Sequence, residues 1–192
     1  GGIAVLRDPA LTLAAARPAR FVRIEKPVSL PDDDVRDFDG SAFGVTRAFG
    51  MREILGYAPV EPDGSVRVKV PADVAFALTV LDANGRRIGA RHDNWLQVRA
   101  GQELKCNGCH APVGDDSHGR DNLFAAANVG APGTGVPFPN TNPAYFADFG
   151  ETMAQVRARI SCQADCADLL PATAIRYEDV WTDPVASGRA PD

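Results

Sequence analysis

Two cysteines followed at once by a histidine constrain this chain more than any other feature. The run is Cys106-Asn107-Gly108-Cys109-His110. Two thiols at this spacing can each add to one vinyl group of a haem, and the adjacent histidine then reaches the iron from the proximal side. We therefore predict one covalent haem c, bound through Cys106 and Cys109, with His110 as an iron ligand.

Other roles of a Cys-x-x-Cys pair fit less well. A thioredoxin-like redox pair lies at a helix N-terminus in a β–α–β unit, and no such alternation is present. A zinc site needs four ligands, and Cys162 and Cys166 could complete the set only with a different spacing and from far along the chain. No histidine follows Cys166, so we expect these two cysteines to form a local disulfide.

Composition favours strands joined by long loops over a helical bundle. The chain has 192 residues, of which 45% are hydrophobic, so a real core can form, and its 18 glycines and 15 prolines fall mostly between the periodic segments. A formal net charge of −5 argues against nucleic-acid binding and favours a basic partner surface. No apolar run is long enough to span a bilayer.

The start of the chain and its cysteines bear on the compartment. The chain begins Gly1-Gly2-Ile3 without an initiating methionine, so we expect a processed product or a piece of a longer protein. Haem c is attached outside the cytoplasm in bacteria, and two further cysteines fit an oxidising environment. We therefore predict an exported protein, periplasmic or at the bacterial cell surface.

Alternation of apolar and polar residues predicts a mainly β fold, a small antiparallel β-sandwich-like domain that carries the haem loop. Val66, Val68 and Val70 alternate with polar residues, as in a half-buried strand. Residues 74–81 form a more apolar strand. The core-facing residues of this second strand are Phe76, Leu78 and Val80.

A hairpin and one more strand complete the β core. The run Asp82-Ala83-Asn84-Gly85 predicts a hairpin, because Asn-Gly readily takes the positive φ values of a type I′ turn. Residues 86–91 then pair back on the preceding strand. Residues 95–98 form a last short strand, which delivers the haem loop at the edge of the sheet.

Earlier segments form a lead-in. Residues 21–26 are predicted as a short strand that Pro27 ends, and residues 51–55 as either a helical turn or a strand. The aspartate-rich run at 31–40 is expected to be a solvated turn, with a calcium loop as the alternative. The predicted organisation is an N-terminal arm with lead-in strands (1–55) and a haem c domain (56–192), the latter comprising a β core (60–105), the haem motif (106–110) and a loop-rich haem cover with a C-terminal helix (111–192).

The segment after the motif is long and aperiodic. Residues 111–150 contain several aromatic side chains, which argues against disorder. These side chains either wrap the haem, with Phe138 as part of the wall, or pack on the sheet. Residues 151–160 are predicted to form a helix. Its expected N-cap is Gly150 or Thr152, and its expected core face is Met153, Val156 and Ile160.

The sixth iron ligand has a small set of candidates. They are His92, His118, Met51, Met153 or an open position. His118 lies eight residues after His110, and eight extended residues span up to roughly 26 Å, enough to round the ring edge. We predict His118 as the distal ligand, with His92 in reserve. A propionate would be bonded by the unused histidine or by Arg91, Arg99 or Arg120.

The stretch from Gly56 to Arg120 resembles the haem-bearing middle domain of hydrazine synthase alpha subunit-like proteins. The similarity is carried by EPDGSVRVKVPADV (61–74), VLDANGRR (80–87), NWLQVRAGQ (94–102) and CNGCH (106–110). The resemblance implies an exported bacterial c-type cytochrome domain, a module of a larger secreted or surface protein. It also implies a tyrosine just past the motif in the hydrazine-forming branch, where this chain has Ala111-Pro112-Val113-Gly114.

Together these features predict a monohaem cytochrome that transfers single electrons to a redox partner protein or to other haem subunits. The alternative is an enzyme or sensor with an open distal site for a small nitrogen or oxygen species, in which His118 or His92 would be an acid–base group. A third hypothesis is a structural subunit of a larger electron-conducting assembly.

Overall fold

The computed structural model of the chain describes residues 18–39, 42, 50–89, 94–106, 130–135, 138, 146–161 and 168. Within these residues the regular elements are β1 (Phe21–Val28), β2 (Met51–Pro59), β3 (Ala77–Leu81) and α1 (Met153–Ser161). The prediction of a mainly β chain with an antiparallel sheet and a short C-terminal helix is confirmed.

The three strands form one antiparallel sheet in the order β2-β1-β3. Residues 51–55, predicted as either a helical turn or a strand, are the first part of β2. Pro27 does not end β1. Pro27 pairs with Arg52 of β2, whereas the pairing of β1 with β3 stops at Glu25. Pro27 therefore has a neighbouring strand on one side only, and a proline is tolerated at such a position because no hydrogen bond to β3 is lost. The boundary between the N-terminal arm (1–55) and the haem c domain (56–192) stays a prediction.

One face of the sheet carries the main hydrophobic core. Val22 and Ile24 of β1 pack there with Phe76 and Val98. Residues 66–70 cover this cluster, with their valines partly buried and the polar residues between them exposed. The predicted alternation is therefore confirmed, but residues 66–70 pair with no strand among the described residues, so they form an extended segment instead of the predicted half-buried strand. They act as an extended second layer on the sheet.

The turn after β3 has a different geometry from the predicted type I′. The Gly85 N–H donates to the Asp82 carbonyl at 3.1 Å, and the Asp82 carboxylate accepts the N–H groups of Asn84 and Arg86 at 2.9 and 2.8 Å. Gly85 has a φ of 73°, whereas Asn84 is not among the residues with positive φ. The hairpin is confirmed, and the Asp82 side chain stabilises it.

Two predicted core positions are instead partly open to solvent. Val80 is 36% exposed because it lies on the edge strand β3, and Ile160 is 39% exposed in the last turn of α1. The other predicted helix positions, Met153 and Val156, are buried. Sequence periodicity therefore located the buried stripe of α1 correctly for its first turns only.

α1 begins with a capping box, in which Thr152 is the N-cap. The Thr152 N–H donates to the Gln155 side chain at 2.8 Å, and the Gln155 N–H donates to the Thr152 hydroxyl at 3.4 Å. The N–H groups of Met153 and Ala154 donate to side chains in the turn at 61–65. Together these four hydrogen bonds satisfy the backbone N–H groups that have no partner within the first turn of a helix.

α1 also has a small hydrophobic core of its own. The cluster consists of Ala131, Phe138, Ala147, Met153 and Val156. Phe138, expected to lie against either the haem or the sheet, packs against α1 in this cluster. Phe146 and Phe149 from the same loop-rich segment are 48% and 76% exposed.

The aspartate-rich segment is an exposed turn over residues 31–39. The N–H groups of Val35 and Arg36 both donate to the Asp32 carbonyl, at 2.9 and 3.0 Å. Across the described ranges, no cluster of three or more histidine, cysteine or acidic side chains is arranged to hold a metal ion. The exposure of this turn agrees with the predicted solvated turn. No helix in the described part of the chain is long and apolar enough to cross a membrane.

Candidate haem attachment site

The segment that carries the motif runs along the edge of the sheet. Leu96 and Phe76 exchange two backbone hydrogen bonds, each 2.8 Å long, next to the start of β3. The Asp73 N–H then donates to the Val98 carbonyl at 2.8 Å. A single bridge thus replaces the predicted strand over 95–98. Backbone bonds hold this segment against the residues next to β3 as far as Val98, and delivery of the motif at the sheet edge stays a prediction.

A tight turn follows at residues 99–102. The Arg99 N–H donates to the Gln102 side chain at 2.9 Å, and the Gln102 N–H donates to the Arg99 carbonyl at 3.0 Å. Gly101 supplies the positive φ, 73°, that this turn requires. Cys106 follows with a free, exposed thiol. An exposed thiol fits a residue that must form a bond to an incoming group.

Most of the predicted site lies outside the described residues. These positions are Asn107, Gly108, Cys109, His110, His92, His118, Arg91 and Arg120, together with Cys162 and Cys166 of the expected disulfide. Their roles stay predictions. Of the two methionines that were candidate axial ligands, Met153 is 2% exposed in the α1 core and Met51 begins β2. Arg99, a candidate propionate partner, is exposed at the turn.

Trp95 links the motif segment to the opposite edge of the sheet. The guanidinium of Arg52, on β2, lies 4.5 Å from the centroid of the Trp95 ring. Arg52 also lies 3.9 Å from the buried carboxylate of Glu25, which Arg23 contacts at 3.1 Å and the Thr79 hydroxyl at 3.1 Å. Opposite charge and a hydroxyl donor compensate the burial of this carboxylate. No sequence pattern indicates this network, because its members lie far apart in the chain.

A second network without a sequence signal joins the turn at 61–65 to α1. The Met153 N–H donates to the Asp63 carboxylate at 2.9 Å, and the Ala154 N–H donates to the Ser65 hydroxyl at 3.0 Å. A carboxylate at this place also interacts favourably with the positive end of the helix dipole. Pro62-Asp63-Gly64 lies in a turn closed by the hydrogen bond from the Gly64 N–H to the Glu61 carbonyl, but the local sequence does not indicate that α1 is its partner.

Arg159 forms a bidentate ion pair with Glu151 on the outer side of α1. The two contacts are 2.9 Å from Nε and 2.7 Å from Nη2 to the carboxylate oxygens. The hydrogen bond from Arg159 lowers the pKa of Glu151 below its ordinary value of 4.5. Burial of the carboxylate raises this pKa, and the hydrogen bond from the Asp148 N–H lowers it further.

We expect this pair to make stability pH-dependent. Because the folded pKa of Glu151 is lowered, its contribution is present above pH 4.5 and is lost as the pH falls through the lowered pKa. Arg159→Gln should therefore lower the thermal midpoint at pH 7 and have a smaller effect near pH 3. The loss should be under about 1 kcal/mol, since Arg159 is half-exposed. An equal effect at both pH values would contradict this, and Glu151→Gln is the matched control.

Comparisons with known proteins bear on the sheet and the motif segment. No curated protein matches the chain. The solved hydrazine synthase of Kuenenia stuttgartiensis matches at 28% identity, over 43% of this chain and 12% of that one, with a TM-score of 0.36. The chain thus spans about one eighth of that protein's length.

A family match gives the clearer relation. Residues 23–111 match the family described as the hydrazine synthase alpha subunit middle domain. The matched range includes all three strands of the sheet except the first residues of β1, the motif segment and the complete motif at 106–110. It begins well before Gly56, the first residue of the resemblance seen in the sequence. Over residues 23–111 this chain is therefore similar to the hydrazine synthase alpha subunit middle domain.

Proposed function

We propose that this chain is a monohaem c-type cytochrome module that transfers single electrons as part of a larger, exported assembly. The observation that carries the proposal is the family match, because its range contains the whole of CNGCH. The exposed thiol of Cys106, at the end of a segment fixed to the sheet edge, supports it.

The residues of this chain have distinct tasks in the proposal. Cys106 and Cys109 form thioether bonds to the two haem vinyl groups. These covalent bonds hold the haem even where the protein does not bury it. His110 supplies the proximal imidazole, and His118 the distal one, which favours a low potential. The bound haem supplies a ferric–ferrous couple. The sheet holds the attachment segment rigidly through the Leu96–Phe76 bonds and the Trp95–Arg52 contact.

The partners in the proposal are other subunits of an assembly. The matched relative is named as a subunit domain of hydrazine synthase, and this chain corresponds to a small part of such a protein. The formal charge of −5 favours docking to a basic surface of a redox partner. In the proposal the protein lies in the periplasm or at the cell surface, because bacteria attach haem c outside the cytoplasm.

A second candidate is an enzyme or sensor with an open distal site. The family match favours it, because the relative is named for the synthesis of hydrazine, a small nitrogen compound. Against a direct transfer of that activity, Ala111-Pro112-Val113-Gly114 follows the motif without the tyrosine that the resemblance implies. In this candidate His118 or His92 exchanges protons with a bound small molecule.

Optical spectra distinguish the two candidates. The purified protein is measured oxidised, reduced, and reduced with carbon monoxide, together with His118→Ala and the matched control His92→Ala. We expect a low-spin wild type that ignores carbon monoxide, a high-spin His118→Ala that binds it, and an unchanged His92→Ala. Ready binding of carbon monoxide by the wild type would instead establish an open site and favour the enzyme or sensor.

A further inference from the structure

The described residues contain two larger hydrophobic cores, besides a small cluster of Phe21, Tyr57 and Leu81 within the sheet. One belongs to the sheet and its covering segment, with Ile24 at its centre. The other belongs to residues 130–135, 138 and 146–161, which we name the α1 unit, with Val156 at its centre. No described residue belongs to both clusters, and the strands pack extensively only with each other.

Polar contacts join these two parts at the turn formed by residues 61–65. The group, which we name the latch, consists of Glu61, Asp63 and Ser65 on the sheet side and Met153, Ala154 and Arg157 of α1. Asp63 and Ser65 accept the first N–H groups of α1. In addition, the Arg157 guanidinium donates to the buried Glu61 carboxylate at 2.8 Å. Pro62, between them, is fully buried.

The position of the latch in the sequence is as informative as its contacts. It joins residues about 90 positions apart, and the motif at 106–110 lies in the chain between them. The closed latch therefore turns the motif-bearing chain into a loop fixed at both ends. An apolar interface would merge the two cores into one cooperative unit, whereas a few charge-assisted hydrogen bonds can break together without exposing either core.

We propose that the α1 unit opens as a separate unit while the sheet stays folded, and that the latch controls this opening. The opening itself does not depend on haem. Its consequence rests on the proposed function: with the latch open, the chain that carries the motif is fixed on the sheet side only.

Native-state hydrogen exchange of the full chain, as purified, tests the opening directly. The amides of Met153, Ala154 and Val156 report on the latch and α1, and those of Val22 and Ile24 report on β1. We expect the α1 amides to exchange through an opening with lower free energy and weaker denaturant dependence than the β1 amides. A single common opening for both sets would overturn the proposal, whatever the haem content of the protein.

Variants then test the role of the latch. Arg157→Gln leaves the Glu61 carboxylate buried without this partner, and Asp63→Asn removes the charge at the start of α1. Each should speed α1 exchange by about tenfold or more and leave β1 exchange unchanged. The matched control is Asp82→Asn, whose carboxylate also accepts two backbone N–H groups, but in the turn after β3. Equal acceleration of α1 exchange by Asp82→Asn would refute control by the latch.

Discussion

Replacing Cys106 and Cys109 together with serine is expected to abolish covalent haem attachment. A thioether bond needs a thiolate sulfur, and a serine hydroxyl cannot replace it at neutral pH. Expressed with the haem c maturation machinery, the wild type should keep a haem band on a denaturing gel and show the mass of one added haem. The double variant should lose both. A single replacement should leave one thioether and a weaker, altered haem spectrum.

The chain supplies its own control for this experiment. Cys162 and Cys166 are replaced by serine in the same way, which removes the other two thiols of the chain. This variant should keep the haem band, because neither cysteine belongs to the motif. If instead the haem band survives in the Cys106/Cys109 variant and disappears in the Cys162/Cys166 variant, the attachment site is wrongly assigned and the cytochrome proposal fails with it.

Gly130→Ala is expected to destabilise the α1 unit by about 2–5 kcal/mol, because both the backbone conformation and the space at this position exclude a side chain. Gly130 has a φ of 69°, and a β-carbon there would clash with the Gly150 carbonyl group and lie 2.7 Å from the Glu151 carbonyl oxygen. The neighbouring Ala131 exchanges backbone hydrogen bonds with the turn at 150–151, so the backbone cannot move aside without breaking them. The loss of stability is measured by urea unfolding that is followed through the hydrogen exchange of the α1 amides.

Gly135→Ala separates the two causes of that loss. Gly135 has nearly the same φ, 74°, but a β-carbon there would meet nothing within 4 Å. Its substitution should cost about 1 kcal/mol, from the left-handed backbone alone. Equal losses for the two variants would mean that the close approach of Gly130 to Gly150 contributes nothing. The difference between them measures the steric contribution.

Local sequence patterns predicted the elements whose causes are local. The valine alternation at 66–70, the turn at Asp82–Gly85 and the helix over 151–160 all follow from side-chain periodicity or turn chemistry within a few residues. The family relation is also accessible from sequence, because CNGCH and the preceding segments are contiguous. Its extension back to residue 23 has no such signal, since β1 and β2 carry no motif of their own.

Contacts between distant residues were beyond such patterns. Nothing in the local sequence pairs Arg52 with Trp95 or Asp63 with Met153, because these contacts depend on how the elements pack. The sequence also leaves open whether His118 or His92 is the proposed distal ligand, because that choice depends on how the chain folds around the proposed haem. The Asn-Gly pair correctly predicted a turn after β3, but not its type. The Asp82 carboxylate accepts two backbone hydrogen bonds that favour a geometry other than type I′.

The capping of α1 by the turn at 61–65 has a consequence for the order of folding. Asp63 and Met153 are 90 residues apart, so their contact closes a long loop and carries a large entropic cost. The contacts between the strands close shorter loops and form first. α1 therefore gains its full set of N-terminal bonds late, after the sheet has presented Asp63 and Ser65. During synthesis we therefore expect the sheet to fold before α1 is in place.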